Sequence, residues 1–163
     1  MRKKQLKSIK ELCPKPSDAV MAMVNGLRKQ SKRKNFRIRF SSFGSREYAD
    51  GTDKIICFGC AATSAIQFIA NKNFTGEEID TRAERGEFLG FDKNELQDFE
   101  EAIDNLRNGW VRALFFFYGL NYSDYFALLQ PMKERLEDLH DLNWKEEIHH
   151  YEDFANKLKE IGL

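Results

Sequence analysis

Two cysteines three residues apart, in Cys57-Phe-Gly-Cys60, are the side chains of this chain best suited to covalent chemistry. The apolar run Lys54 to Phe58 leads into them, and the small residues Ala61-Ala-Thr-Ser-Ala65 follow. The pair therefore falls where a strand turns into a helix. A thiol at a helix N-terminus feels the positive end of the helix dipole, which favours the nucleophilic thiolate. Three chemistries suit Cys57 and Cys60. The two thiols would cycle through a disulfide, one would attack an acyl group with a histidine as base, or both would hold half of a zinc site. Against these stands packing, because cysteine is a small apolar residue often buried outright. We read Cys60 as a packed helix residue, and Cys13, beside the prolines of Cys13-Pro-Lys-Pro16, as a comparison thiol that reacts quickly if that turn is exposed.

Each chemistry asks for partners. The alternating strands and helices of a thioredoxin-like domain do not surround the pair. Zinc needs two further ligands; there is no second close cysteine pair, and the adjacent His149 and His150 would point about 100° apart on a helix. The cysteine-at-helix-start arrangement resembles that of papain-like peptidases over about ten residues, which implies a thiol nucleophile with a histidine base. The histidines are His140, His149 and His150, all in helical context, whereas that family carries its histidine on a strand. Glu137-x-x-His140 and Glu147-x-x-His150 have the i, i+3 spacing of carboxylate-bridged di-metal helices. They sit near a turn in an acidic region, so we read them as a solvated surface and expect no cofactor and no metal.

Charge carries the second signal. Residues 1–39 hold thirteen Lys/Arg against two acidic residues, a net +11, and residues 40–163 carry the compensating −11. A segment this basic meets an anionic partner or neutralises the acidic remainder of its own chain. The densest stretch supplies Arg28, Lys29, Lys32, Arg33, Lys34, Arg37 and Arg39, with Phe36, Phe40 and Phe43 interleaved. Cations neutralise phosphates and release counterions, and aromatic faces stack on unpaired bases. Nucleic acid and an acidic protein are both suitable partners, as is a second copy in a homodimer, with the basic arm of one chain on the acidic body of another. The acidic run Glu95, Asp98, Glu100, Glu101 and Asp104 reads as the polar face of its helix.

These residues need elements to position them. Leu6, Ile9 and Leu12 form the stripe of a short helix that the prolines stop. Ser17 caps a predicted helix from Asp18 to about Ser31, with Val20, Met23, Val24 and Leu27 on one face. Phe36 to Phe40 alternates as a half-buried strand, residues 41–53 read as a loop and the likeliest hinge, and 54–58 is a second strand. Helices follow at 61–70, at 75–85 behind the capping box Thr75-Gly-Glu-Glu78, and from Asp92 to Gly109. Trp110 to Tyr118 is a separate buried element, Ser123 caps a short segment, Pro131 opens a helix, and Asn143 opens the last one.

The sequence thus predicts a mainly α, compact multi-helix domain over 1–163. It has a basic N-terminal arm at about 1–40, an acidic helical body at about 54–163, and at most a two-stranded β-ribbon formed by 35–40 and 54–58. Three cysteines, no apolar h-region in Met1 to Leu12 and no apolar run of membrane length suggest a soluble, cytoplasmic protein outside the membrane. The favoured function is a non-enzymatic binding or regulatory module whose basic segment meets an anionic partner. A cysteine-dependent enzyme and a structural homo-oligomer are the alternatives.

Overall fold

A computed structural model of the chain describes residues 6–40, 44–75, 90–137, 139 and 143–163. Seven α-helices and a three-stranded sheet occupy them, in the order α1 (Ile9–Leu12), α2 (Pro16–Gln30), β1 (Phe36–Ile38), β2 (Gly44–Tyr48), β3 (Ile55–Gly59), α3 (Ala61–Ala70), α4 (Lys93–Arg107), α5 (Arg112–Phe117), a 3-10 turn (Tyr122–Asp124), α6 (Phe126–Glu137) and α7 (Trp144–Glu160). The fold is mainly helical, as the periodicity predicts. No helix among the described residues is long and apolar enough to cross a membrane. The predicted helix at 75–85 lies almost wholly outside the described residues.

Helix α2 packs against both α3 and α7. Its apolar stripe Val20, Met23, Val24 and Leu27 is fully buried. The helix starts earlier than the sequence suggests. Pro16 takes the first turn, where its missing N–H costs nothing, and the Asp18 carboxylate accepts from the Lys15 N–H at 3.2 Å. Ser17, expected as the cap, instead donates to the Leu163 carbonyl at 3.0 Å and ties the helix to the C-terminus. Gly26 faces α3. A Cβ there would collide with the Ser64 carbonyl oxygen and stand 2.9 Å from the Ala65 nitrogen, so the two backbones meet directly. The small residues Ala61, Ala62 and Ala65 of α3 are likewise fully buried.

The sheet corrects the expected ribbon. It has three strands in the order β1-β3-β2; β1 runs parallel to β3, and β2 runs antiparallel to it. Part of the expected loop is therefore strand β2, closed onto β3 by a turn with Gly51 at φ 68° and the Ala49 N–H on the Lys54 carbonyl at 2.8 Å. Phe36, Cys57 and Gly59 point to the buried face. Gly59 is required there, because a Cβ would lie 2.7 Å from the Phe36 ring.

Two helical readings also shift. Helix α6 runs through Pro131 instead of starting at it. The short segment before it is capped by Asn121, whose side chain accepts from the Ser123 N–H at 3.2 Å. The last helix begins as predicted, with the Asn143 side chain accepting from the Lys145 and Glu146 N–H groups.

Candidate anion-binding surface

The seven basic residues singled out by sequence divide into three groups. Arg28 pairs with Glu152 of α7 at 2.7 Å, and Arg39 pairs with Glu47 of β2 at 2.7 Å while its guanidinium lies 3.7 Å from the Phe58 ring centroid. These two are neutralised within the chain. Lys29, Lys32, Lys34 and Arg37 are exposed at the end of α2 and the start of β1. Among the described residues none of the four has an ion pair; Arg37 donates to the backbone carbonyls of Lys34 and Phe36, each at 3.1 Å.

Arg33 forms the third group. It turns inward and clamps three segments together. One guanidinium nitrogen donates to Gln30 Oε1 at 2.8 Å and Gln67 Oε1 at 2.9 Å, and the other donates to the Phe74 carbonyl at 3.1 Å. Its guanidinium carbon lies 5.0 Å from the Phe36 ring centroid. Gln30 and Gln67 are fully buried, and Gln67 Oε1 also accepts from the Phe74 N–H at 2.9 Å. Burial lowers the Arg33 pKa, and nearby Cys57 partly opposes that, but a guanidinium stays charged throughout the working pH range.

The aromatic residues expected among these cations turn to other work. Phe36 is in the core, and Phe40 lies under Arg107, whose guanidinium carbon is 3.3 Å from its ring centroid. Phe43 lies outside the described residues.

The three cysteines are free thiols and all are buried. Cys60 caps α3 with its backbone only, and its Sγ lies 3.5 Å from Thr63 Oγ1. Burial pushes the Cys60 thiol up to about 11, with Asp104 adding to the effect, despite its place at the helix start. The turn at Cys13 is not exposed: Cys13 is buried beside the first turn of α2, and burial with Asp18 raises it to about 11. Its carbonyl accepts from the Tyr118 hydroxyl at 2.7 Å. Cys57 is 2% exposed and stands opposite Arg46 in the sheet register.

Glu147 and His150 do not face each other across a metal site. Glu147 is buried and takes a two-pronged contact from Arg107 of α4, at 2.9 and 3.1 Å, plus the Tyr151 hydroxyl at 3.2 Å. His149 is exposed and His150 half-buried, and His140 lies outside the described residues. No group of three or more metal-ligating side chains occurs among the described residues.

Clefts lined by described residues include one of about 370 Å³ that holds Trp110 and Phe116, respectively 61% and 84% exposed, with Lys10, Arg112, Asp98 and Glu101. Its neighbour, about 250 Å³, shares Trp110 and Arg112 and adds Lys133 and Glu137. The third, about 340 Å³, lies between β2, β3 and the segment after α3. Sequence reasoning placed Arg46 in a loop, read Thr75 only as a helix cap and did not single out Asn35 or Asn73, all of which line that third cleft. They lie far apart in the chain, and no short-range pattern joins them. No protein-family profile, curated protein or solved structure matches the chain.

Proposed function

We propose that the protein is a non-enzymatic binding module that contacts an anionic macromolecule, a nucleic acid or an acidic protein, through Lys29, Lys32, Lys34 and Arg37. One observation carries this reading: the four cations are exposed together, with no carboxylate among the described residues paired to any of them, while neighbouring Arg28 and Arg39 each hold one. Unpaired surface cations repel each other and gain most from an external polyanion. Phe36 and Phe40 are engaged internally, so the contact is to phosphates or carboxylates and not to stacked bases. The cysteine-enzyme alternative loses support, because Cys60 is buried with a raised pKa.

The test is binding of single- and double-stranded oligonucleotides and of polyglutamate at two ionic strengths. If all four cations meet duplex phosphates, log affinity falls with log salt at a slope of about −3.6, roughly a hundredfold loss between about 50 and about 200 mM. The Lys32→Glu/Lys34→Glu variant should bind more weakly, with that slope shallower by about two. Wild type that binds no polyanion at low salt, or a variant that binds equally well, refutes the proposal.

A further inference from the structure

Two aromatic side chains lie open to solvent in the 370 Å³ cleft formed by α1, α4 and α5. Helix α5 buries Leu114, Phe115 and Phe117. Its turn therefore leaves Phe116 outside, one turn from exposed Arg112 and on the same face. Trp110, just before α5, is 61% exposed and Phe116 is 84% exposed. A single exposed ring is ordinary surface, but two lining one cleft make an apolar patch. Covering both would remove roughly 300 Å² per copy from water, against about 800 Å² for one side of a standard interface.

The patch has a charged rim of both signs. Lys10 of α1 and Arg112 of α5 supply two cations, and Asp98 and Glu101 of α4 supply two carboxylates, all exposed. Asp98 and Glu101 are three apart and share one face of α4. Although the four line one cleft, no ion pair engages any of them among the described residues. The cations rest on the chain's own rings instead, Lys10 Nζ at 4.8 Å from the Phe117 centroid and the Arg112 guanidinium carbon at 5.5 Å from that of Tyr122.

This balance selects the occupant. A polyanion is repelled by Asp98 and Glu101, and a polycation by Lys10 and Arg112. An uncharged apolar surface would cover four charges without pairing them, which is costly. A rim of two cations and two carboxylates is complementary to itself once turned over. Two-fold symmetry performs that turn, since each residue then meets on the other copy the residue that meets it. We infer that this face docks on the same face of a second copy of the chain. Trp110 and Phe116 pack between the copies, and Asp98 and Glu101 of each face Lys10 and Arg112 of the other. Aromatic anchors within a polar rim are where binding energy concentrates. The inference is independent of the proposed anion contact and uses none of Lys29, Lys32, Lys34 and Arg37.

Sedimentation velocity of the full chain over about 1–500 μM tests it, because an interface at the small end of the size range is weak and forms at micromolar concentrations. Wild type should pass from monomer to dimer within that range. Trp110→Ala and Phe116→Ser should each weaken self-association at least about tenfold. Both rings are exposed, so circular dichroism and melting should stay as in wild type. Lys10→Glu/Arg112→Glu makes the rim wholly acidic, and Asp98→Lys/Glu101→Lys makes it wholly basic. Each double variant alone should stay monomeric, and an equimolar mixture should form a heterodimer, a rescue that misfolded chains would not show. If either charge variant fails to fold, the two ring variants decide. Lys32→Glu/Lys34→Glu should self-associate as wild type does. The inference is overturned if wild type stays monomeric throughout, or if both ring variants associate as wild type does. It is equally overturned if mixing two folded charge variants restores no dimer, or if the Lys32/Lys34 variant alone loses it.

Discussion

Replacing Arg33 should cost stability before it costs binding, and the size of the loss follows from its contacts. Its guanidinium donates to Gln30 Oε1, Gln67 Oε1 and the Phe74 carbonyl at 2.8, 2.9 and 3.1 Å. Hydrogen bonds to a charged group contribute about 1.5–3 kcal/mol each when well buried, and Arg33 is only half-buried, so each counts for less. Gln67 Oε1 keeps the Phe74 N–H at 2.9 Å after the substitution and is not orphaned. Gln30 Oε1 loses its charged donor within a fully buried residue. The sum for Arg33→Gln is about 2–3 kcal/mol, and at this chain length each kcal/mol moves the melting temperature by about 2–4 °C. Thermal unfolding followed by circular dichroism should therefore show Arg33→Gln melting about 5–10 °C below wild type. Arg33→Lys keeps the charge but not the fork, so it should fall most of the way with it. Lys34→Gln, fully solvated, should stay within about 1 °C. If Arg33→Lys matches wild type, the clamp is refuted and only the charge of Arg33 counts. A charge reversal at Arg33 is a poor probe of anion binding for the same reason, since it would perturb the packing of α2 on α3.

Glu147→Gln should destabilise by about 2–3 kcal/mol, below the 3–5 kcal/mol of a fully buried broken pair, because the Arg107 side chain keeps 23% exposure. Urea unfolding of Glu147→Gln, Arg107→Met and the double variant checks it, and a double loss equal to the sum of the singles would show that the two residues do not interact. Stability should also fall as pH rises from about 9 through about 11, because Cys13 and Cys60 have folded pKa values raised to about 11, so folding favours the neutral thiol and that preference is lost on ionisation. The full loss is about 2–3 kcal/mol per thiol, Cys60→Ala should flatten the curve, and a curve unchanged by that substitution would refute the assignment. At neutral pH the raised pKa leaves about a hundredfold less thiolate than an ordinary thiol has, so Cys60 should alkylate slowly in the folded protein; fast labelling there would restore the cysteine-enzyme reading.

What the sequence made legible was short-range. The stripe Val20, Met23, Val24 and Leu27 located α2, and Asn143 with Glu146 located the start of α7, because both signals lie within one or two helical turns. Strand β2 was hidden. Gly44-Ser-Arg-Glu-Tyr48 is polar because it is an edge strand, and its place is set by backbone pairing with β3, which side-chain alternation does not encode. The parallel pairing of β1 with β3 was hidden too, since it joins two strands that are not consecutive in the chain, with β2 lying between them in sequence. Charge density identified the basic segment but could not sort it. Whether an arginine meets Glu152, Gln67 or open solvent is decided by residues 34 to 124 positions away. The exposure of Cys13 was open for a related reason: prolines follow it closely, but its cover comes from elements far along the chain, Tyr118 among them.

The contact of Gly26 with Ser64 bears on mechanics. Strand β1 follows α2 and strand β3 precedes α3, so two helices touching backbone to backbone brace the sheet from both of its parallel strands. Arg33 belongs to that braced frame. Arg46 does not: it rides on the edge strand β2, which pairs with β3 alone. The sheet is therefore firmest along its two parallel strands, while β2 is held by its ladder to β3 and by the Glu47 pair with Arg39, and it is the strand whose amide protons should exchange first.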